Sequence, residues 1–279
     1  MSWFDTMKSA LSFGAKKEVP NEIWIKCEIC NSILLKEKVI KNLWVCEKCN
    51  YHFRLNPNQY ISLLLDEGTF AETDASLQDV DFLKFVDKKK YSSRLKAARS
   101  EIGENSALKT GLGKINNRPV VIGIMDFRFI GGSISSVVGE KMVRAIHTAI
   151  DRKLPFILIT QSGGARMQES TIALMQMAKT SAALGVLARA KLPYIVILTN
   201  PTTGGATASF AMLGDIHLAE PRARIGFSGP MIIQQLMKCD LPEDFQRSEF
   251  LLRNGFCDRI VSRQDMKQEL TTVLGLLTD

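Results

Sequence analysis

Four of the six cysteines fall in one short stretch as two pairs, Cys27-Glu-Ile-Cys30 and Cys46-Glu-Lys-Cys49, with fifteen residues between the pairs. Each CxxC bends around one ion and offers it two thiolates. Two such knuckles complete a tetrahedral four-sulfur shell with Zn–S near about 2.3 Å, the arrangement of structural zinc. The spacing predicts one zinc ion held by Cys27, Cys30, Cys46 and Cys49, and four protein ligands close the shell to substrate. A redox role fits less well, because no strand leads into a CxxC helix as in thioredoxins. Disulfides would suit a secreted chain, yet MSWFDTMKSALSFGAKK at the start lacks the apolar core and cleavage site of a signal peptide. Cys239 and Cys257 read as small buried hydrophobes, and His52 as a packing or surface residue.

A second pattern is made of glycine. Gly131-Gly132, Gly163-Gly164 and Gly204-Gly205 each follow an apolar, strand-like run. A glycine pair between a strand end and a helix start lets backbone N–H groups converge on one spot, and the helix dipole adds positive potential there. Such loops make either a phosphate cradle or an oxyanion hole. The sequence has no GxxxxGK[ST] and no GxGxxG after a strand, and in SGGAR (162–166) the serine precedes the glycines instead of standing between them. Acid–base side chains are scarce. His52 lies near the cysteines, His147 in a helical run and His217 in a strand, and Ser162, His147 and Asp151 form a triad only on paper. Stabilisation of developing negative charge by the backbone is the chemistry that this pattern favours.

The elements that must hold these loops come next. Residues 22–55 form the four-cysteine ribbon, with Ile33-Leu34-Leu35 and Leu43-Trp44-Val45 as short strands. Residues 56–100 read as a charged, helical connecting region: a helix opened by Pro57 and ended by Gly68, a polar loop over Glu72 to Asp81, and a basic helix over Lys88 to Glu101. Residues 101–279 alternate strands and helices. Strands are predicted at Val120–Phe127, Pro155–Thr160, Leu192–Leu198 and Ile216–Ala219. Helices are predicted at Val137–Lys153, Met167–Arg189, the latter apolar enough to be mostly buried, and Ala206–Leu213. The alternation implies an α/β fold with a largely parallel sheet.

At 279 residues the chain holds one large domain or two smaller ones. Hydrophobic residues at 46% and charged residues at 23% exclude a wholly disordered chain. No unbroken apolar run reaches the roughly 20 residues of a membrane span, so a cytoplasmic protein without membrane contact is expected. The net charge of +7 suits a polyanionic partner, whether nucleic acid, phosphorylated cofactor or acidic protein.

The CxxC-x15-CxxC pattern, SGGARMQE (162–169), PTTGG (201–205), IGFSGP (225–230) and FQRSEFL (245–251), with MSW at the start and LLDEG at 64–68, together resemble the β subunits of bacterial acetyl-CoA carboxylase carboxyltransferases. The resemblance covers nearly the whole chain. It implies a crotonase-like (ClpP/crotonase) superhelix of ββα units behind the zinc ribbon. It also implies transfer of a carboxyl group from biotin, borne on the biotin carboxyl carrier protein, to acetyl-CoA, giving malonyl-CoA for fatty acid synthesis. The biotin anion left after CO2 release can itself take the methyl proton, so the protein has mainly to hold oxyanions. By the match to PTTGG, Gly204 and Gly205 supply one oxyanion hole. Gly163, Gly164, Gly131 and Gly132 are expected to line the acyl-CoA site, and Arg166 either meets a CoA phosphate or fixes the loop through an ion pair. Only one such module fits in the chain, so a homologous α subunit is expected to complete the site in an α2β2 assembly. Biotin carboxylase is the further partner of the ATP-dependent complex, and helix faces near 167–189 and 231–251 are candidate interfaces. Two alternatives stand beside this reading. One is a crotonase-type hydratase or isomerase, which needs a placed carboxylate base. The other is nucleic-acid binding by the ribbon, where Lys26, Lys36, Lys38, Lys41, Lys48 and Arg54 gather positive charge.

Overall fold

The computed structural model describes residues 23–278. The opening segment, with its MSW match, and residue 22 of the expected ribbon lie outside the described residues. The chain divides into two compact units between Phe53 and Arg54, two residues before the expected boundary.

In the smaller unit β1 (Trp24–Lys26) pairs antiparallel with β2 (Ile33–Leu35), and α1 (Lys36–Lys41) follows at once. The other expected ribbon strand, Leu43-Trp44-Val45, is a turn. Leu43 and Trp44 both take left-handed backbone angles, φ 53° and 60°, and only Val45 makes a bridge, to His52. Their N–H groups donate back to Ile40 and Val39 at the end of α1, a local pattern that β propensity does not foresee. Cys27, Leu34, Val39, Cys46, Tyr51 and Phe53 form the buried cluster. So little apolar surface does not fold a unit of this size alone.

The segment 56–100 is no separate connector but part of the larger unit. α2 (Pro57–Leu64) starts with a capping box, in which Asn56 accepts from Gln59 N–H and the Gln59 side chain accepts from Asn56 N–H. The expected polar loop begins as β3 (Ala71–Thr73), an edge strand against β4 (Leu108–Ile115). The basic helix starts later than expected, as α3 (Tyr91–Ile102), and ends at left-handed Gly103. β5 (Arg118–Met125) pairs antiparallel with β4, and from there the sheet is parallel. α4 (Ser136–Arg152) leads to β6 (Phe156–Ser162), all seven residues of which are buried, as befits an inner parallel strand.

The predicted helix Met167–Arg189 is broken. Met167–Glu169 is one 3-10 turn, Ser170 takes φ 51° with ψ −134°, and α5 (Thr171–Arg189) follows. Length and composition alone would let α5 cross a membrane, but it packs against α4 by one face. The expectation that it is mostly buried is not met, since Leu174, Met175 and Val186 face out. β7 (Tyr194–Thr203) lies beside β6, then β8 (Ile216–Ala219) beside β7, and β9 (Ile225–Gly226) pairs with the end of β7.

No α-helix spans Ala206–Leu213. Thr207 Oγ1 donates to Gly204 O and Ser209 Oγ to Gly205 O, drawing the chain into successive turns with a 3-10 turn at Phe210–Met212. α6 (Pro230–Met237), α7 (Ser248–Arg253), β10 (Arg259–Ile260) against β8, and α8 (Met266–Thr278) complete the unit. The eight-stranded sheet runs β10-β8-β7-β6-β5-β4-β3, with β9 off its path.

Candidate active site and metal centre

β5, β6 and β7 are neighbours in the sheet, so the loops after them meet. Gly163 N–H donates to Gly131 O at 2.9 Å. At Gly132, φ +61°, a Cβ would stand 2.0 Å from Gln161 O, which excludes any larger residue. At Gly164, φ +109°, a Cβ would stand 3.1 Å from Gly205 N and 3.3 Å from Gly204 Cα. The second and third loops thus touch backbone to backbone. Ile134 ties the first to the second, donating to Gly164 O at 2.8 Å and accepting from Arg166 N–H at 2.9 Å.

Several of these amides are already engaged. Gly163 gives its proton to Gly131, and Gly164 gives its own to Ser162 Oγ at 3.1 Å. Gly204 N–H is shared between Gly226 O and Phe227 O, at 3.0 and 3.1 Å, so Gly204 is not free to donate to a substrate as expected. Among the described residues Gly205 N–H and Ala165 N–H have no acceptor. A Cβ on Gly205 would lie 3.4 Å from Ala165 N. Because Cβ stands roughly 2.5 Å from its own nitrogen, the two nitrogens are within about 6 Å. An oxygen lying between them would be within hydrogen-bond distance of both nitrogens. No α-helix follows either amide directly, so the expected helix dipole is absent at Gly205. α4 starts near the first loop, and its own first N–H groups go to Glu169 Oε2 and Ser135 Oγ.

Arg166 resolves to the ion-pair alternative. Its side chain is wholly buried, so it does not reach a CoA phosphate. Its Nη1 donates to Asp79 Oδ2 at 2.6 Å and to Tyr91 OH at 3.0 Å. Nε donates to Ser133 Oγ and Nη2 to Ser133 O. Glu169 closes the cluster by accepting from Tyr91 OH at 2.8 Å and from Ser136 N–H at 2.6 Å. Burial and the carboxylates of Asp79 and Glu169 push the Tyr91 hydroxyl far above its ordinary value, against the pull of Arg166. This cluster clamps residues 79–91 and 131–136 onto the SGGAR loop. Sequence reasoning missed the roles of Asp79, Tyr91, Glu169 and Ala165; the last two lie in the quoted SGGARMQE, whereas Asp79 and Tyr91 carry no local signal.

The carboxylates bonded into these loops leave no free base. Asp79 and Glu169 are in the cluster above, and Asp126 is held by Arg128 at 2.6 Å. Ser162 is buried with its hydroxyl engaged, while His147 is exposed on α4, so the paper triad does not form. His217 Nε2 accepts from Gly214 N–H at 3.2 Å. Beside the third loop lies an apolar cavity of about 330 Å³, walled by Thr207, Met212, Ile225, Phe227, Phe245 and Phe250.

In the smaller unit the sulfurs of Cys27, Cys30, Cys46 and Cys49 all lie within 4.8 Å of one another. Cys27–Cys49 and Cys30–Cys46 are 3.6 and 3.8 Å apart. A tetrahedral shell with Zn–S near 2.3 Å puts its sulfurs about 3.8 Å apart, whereas a disulfide needs roughly 2.05 Å. The donor set therefore fits one such ion. The two knuckles have the same build. Asn31 N–H donates to Cys27 O and Asn50 N–H to Cys46 O, and both asparagines take φ 57°. The repeated Cys-Glu-x-Cys-Asn in the sequence carried that signal. Burial pushes the Cys27 thiol up and the Cys49 thiol to about 12, while Ser32 holds Cys30 down to about 6. A divalent cation at this site would bind the four sulfurs as thiolates and release their protons. His52 is buried with Nδ1–H donating to Asn50 O, outside the sulfur cluster.

The larger unit is a sheet whose loops bring two unpaired amides close together, and the smaller unit is a pair of cysteine knuckles able to hold one metal ion. The family model of the carboxyl transferase domain matches residues 58–266. A relative from Chlorobium chlorochromatii, an acetyl-coenzyme A carboxylase carboxyl transferase subunit beta, is 49% identical over 277 residues, 99% of each chain. Relatives of the same name from Citrifermentans bemidjiense and Prosthecochloris aestuarii are 49% and 48% identical, covering 99% and 100% of each chain. Among solved structures, transcarboxylase 12S superposes with TM-score 0.67 at 24% identity over 79% of this chain, which spans 40% of that one. A malonate decarboxylase heterodimer from Pseudomonas gives 0.60 at 23%, covering 80% of this chain and 86% of that one. These likenesses show the fold, which is crotonase-like. The chain belongs to the family of acetyl-coenzyme A carboxylase carboxyl transferase β subunits, and it is a carboxyltransferase subunit.

Proposed function

We propose that this chain supplies one half of the site in which a carboxyl group passes from biotin, on the biotin carboxyl carrier protein, to acetyl-CoA, yielding malonyl-CoA in the cytoplasm. The observation that supports it best is the pair of unengaged amides, Gly205 N–H and Ala165 N–H, on loops locked together by Gly164. They are placed to accept the negative charge that grows on the thioester oxygen as its neighbouring carbon loses a proton. Each such donor is worth on the order of 3 kcal/mol in the transition state. Biotin supplies the carboxyl carrier chemistry when it is bound. This chain's part is to hold the oxyanion, and the missing base argues against the hydratase or isomerase alternative. The four cysteines hold a zinc ion that folds the ribbon. A homologous α subunit contributes the second set of loops in an α2β2 assembly that also works with biotin carboxylase. The exposed apolar residues of α5 and α6 suit that contact.

The test is malonyl-CoA decarboxylation, or carboxylation of biocytin, by this chain alone and with an α subunit added. Activity only in the mixture is expected. Turnover by the chain alone would show a complete site and overturn the shared one. Hydration of crotonyl-CoA by the isolated chain would favour the hydratase alternative.

A further inference from the structure

Arg54 opens the larger unit, and its cation is placed without a counter-charge. It is exposed and has no carboxylate partner among the described residues. Its guanidinium instead lies 4.8 Å from the ring centroid of Phe127, a stacking that orients the fork while leaving its edge N–H groups open. Phe127 belongs to the first glycine loop, and its ring edge would stand 4.0 Å from a Cβ on Gly163, in the second. Gln161, almost fully buried, holds this corner from below. Its Oε1 accepts from Phe127 N–H at 3.2 Å, and its Nε2 donates to Leu55 O at 3.4 Å. One buried amide thus fixes both the ring and the chain segment that bears the arginine. The neighbouring Arg128 is neutralised by Asp126 in a two-point pair, so it does not share this role.

A preset, unpaired guanidinium beside oxyanion loops matches a phosphate oxygen of the substrate's own tail. We infer that Arg54 binds the phosphate-bearing end of the acyl-CoA, an inference that rests on the function proposed above. A flexible substrate would then be held at two points: its thioester oxygen at Gly205 and Ala165, and its phosphates at Arg54.

The test measures KM and kcat with the α subunit present, for wild type, Arg54→Gln and Phe127→Leu. The substrates are malonyl-CoA, its 3′-dephospho form and malonyl-pantetheine, which has no phosphate. For Arg54→Gln, KM for malonyl-CoA should rise about tenfold, with kcat little changed and KM for malonyl-pantetheine unmoved. Phe127→Leu keeps the charge but frees it, and should give a smaller rise in the same direction. A penalty that persists with the 3′-dephospho substrate assigns the contact to the diphosphate, and one that vanishes there assigns it to the 3′-phosphate. An unchanged KM for malonyl-CoA overturns the inference. So does an equal rise with malonyl-pantetheine, which would mean that Arg54 only shapes the loops, or a rise confined to the biotinyl carrier. If the wild-type mixture is inactive, the functional reading fails instead. Calorimetric binding of free CoA then decides: weaker binding by Arg54→Gln retains the phosphate site, and equal binding removes it.

Discussion

Gly205 separates the two uses of glycine in this site, because its N–H is the open one while its neighbours serve by lacking a side chain. A Cβ on Gly205 would meet the flexible thioether of Met177 at 2.9 Å, and would stand 3.4 Å from both Ala165 N and Ile134 Cδ1, so it would crowd the open amide of Ala165. Gly205→Ala should therefore fold normally and lose roughly 10²- to 10³-fold in kcat, measured with the α subunit beside a thermal melt. Gly164→Ala meets the backbone of residues 203–205 at 3.1–3.4 Å and must hold φ +109°, so it should lower the melt instead. That Gly204 is occupied was not legible in PTTGG, since its acceptors, Gly226 and Phe227, lie more than twenty residues on. His217 gives a residue-scale test of pH. Burial holds its imidazole below the ordinary 6.5, against the pull of Asp258, and Nε2 must stay unprotonated to accept from Gly214. As pH falls through 6.5 the unfolded chain takes up a proton that the folded chain refuses. Stability contributed by the neutral ring is present above 6.5 and declines from there toward the lower folded-state value. His217→Gln should flatten that part of a denaturant-midpoint curve taken against pH.

At the scale of elements, the Arg166 cluster joins three segments that the sequence keeps far apart. Arg166→Met leaves Asp79 buried without its cation, and Asp79 Oδ1 already lacks a partner. The change should cost about 3–5 kcal/mol in urea unfolding, and the double change with Asp79→Leu should cost less than the single one. The parallel strands were legible because runs such as Phe156–Thr160 and Tyr194–Leu198 are apolar and flanked by turn residues. β4 was not, because Gly111 and Gly113 interrupt it. Those glycines are there for packing: a Cβ at 111 would strike Ala71 O at 2.5 Å, and one at 113 the Leu65 side chain at 2.6 Å. β3 owes its existence to that distant partner, so no local propensity announces it. The helix expected over Ala206–Leu213 fails through its hydroxyls, as Thr207 and Ser209 bond back to the glycines just before them. The cysteine knuckles were readable because metal geometry is written in spacing, whereas the turn at Leu43 and Trp44 depends on where α1 ends.

For the whole molecule, the two units differ in what folds them. The larger one has a continuous core from Leu108 and Val121 to Leu198 and Ile225, and the smaller one has a cluster of six buried residues, two of them cysteines of the metal site. Removing a metal held by the four cysteines with a strong chelator should unfold residues 23–53 while the main unit melts as before, with hydrogen exchange reporting on each separately. The larger unit also carries a face that no part of the described chain covers. Not one residue of α6 is buried, and Met231 and Leu236 are each 76% exposed, with Phe227 close by in sequence at 65%. An apolar face of this kind marks an interaction site or an aggregation liability. In the shared assembly proposed above, a copy made in excess of the α subunit would leave this face bare and open to aggregation or to capture by chaperones and proteases. Under that proposal, the chain's lifetime in the cell would measure how well its synthesis is matched to that of the α subunit.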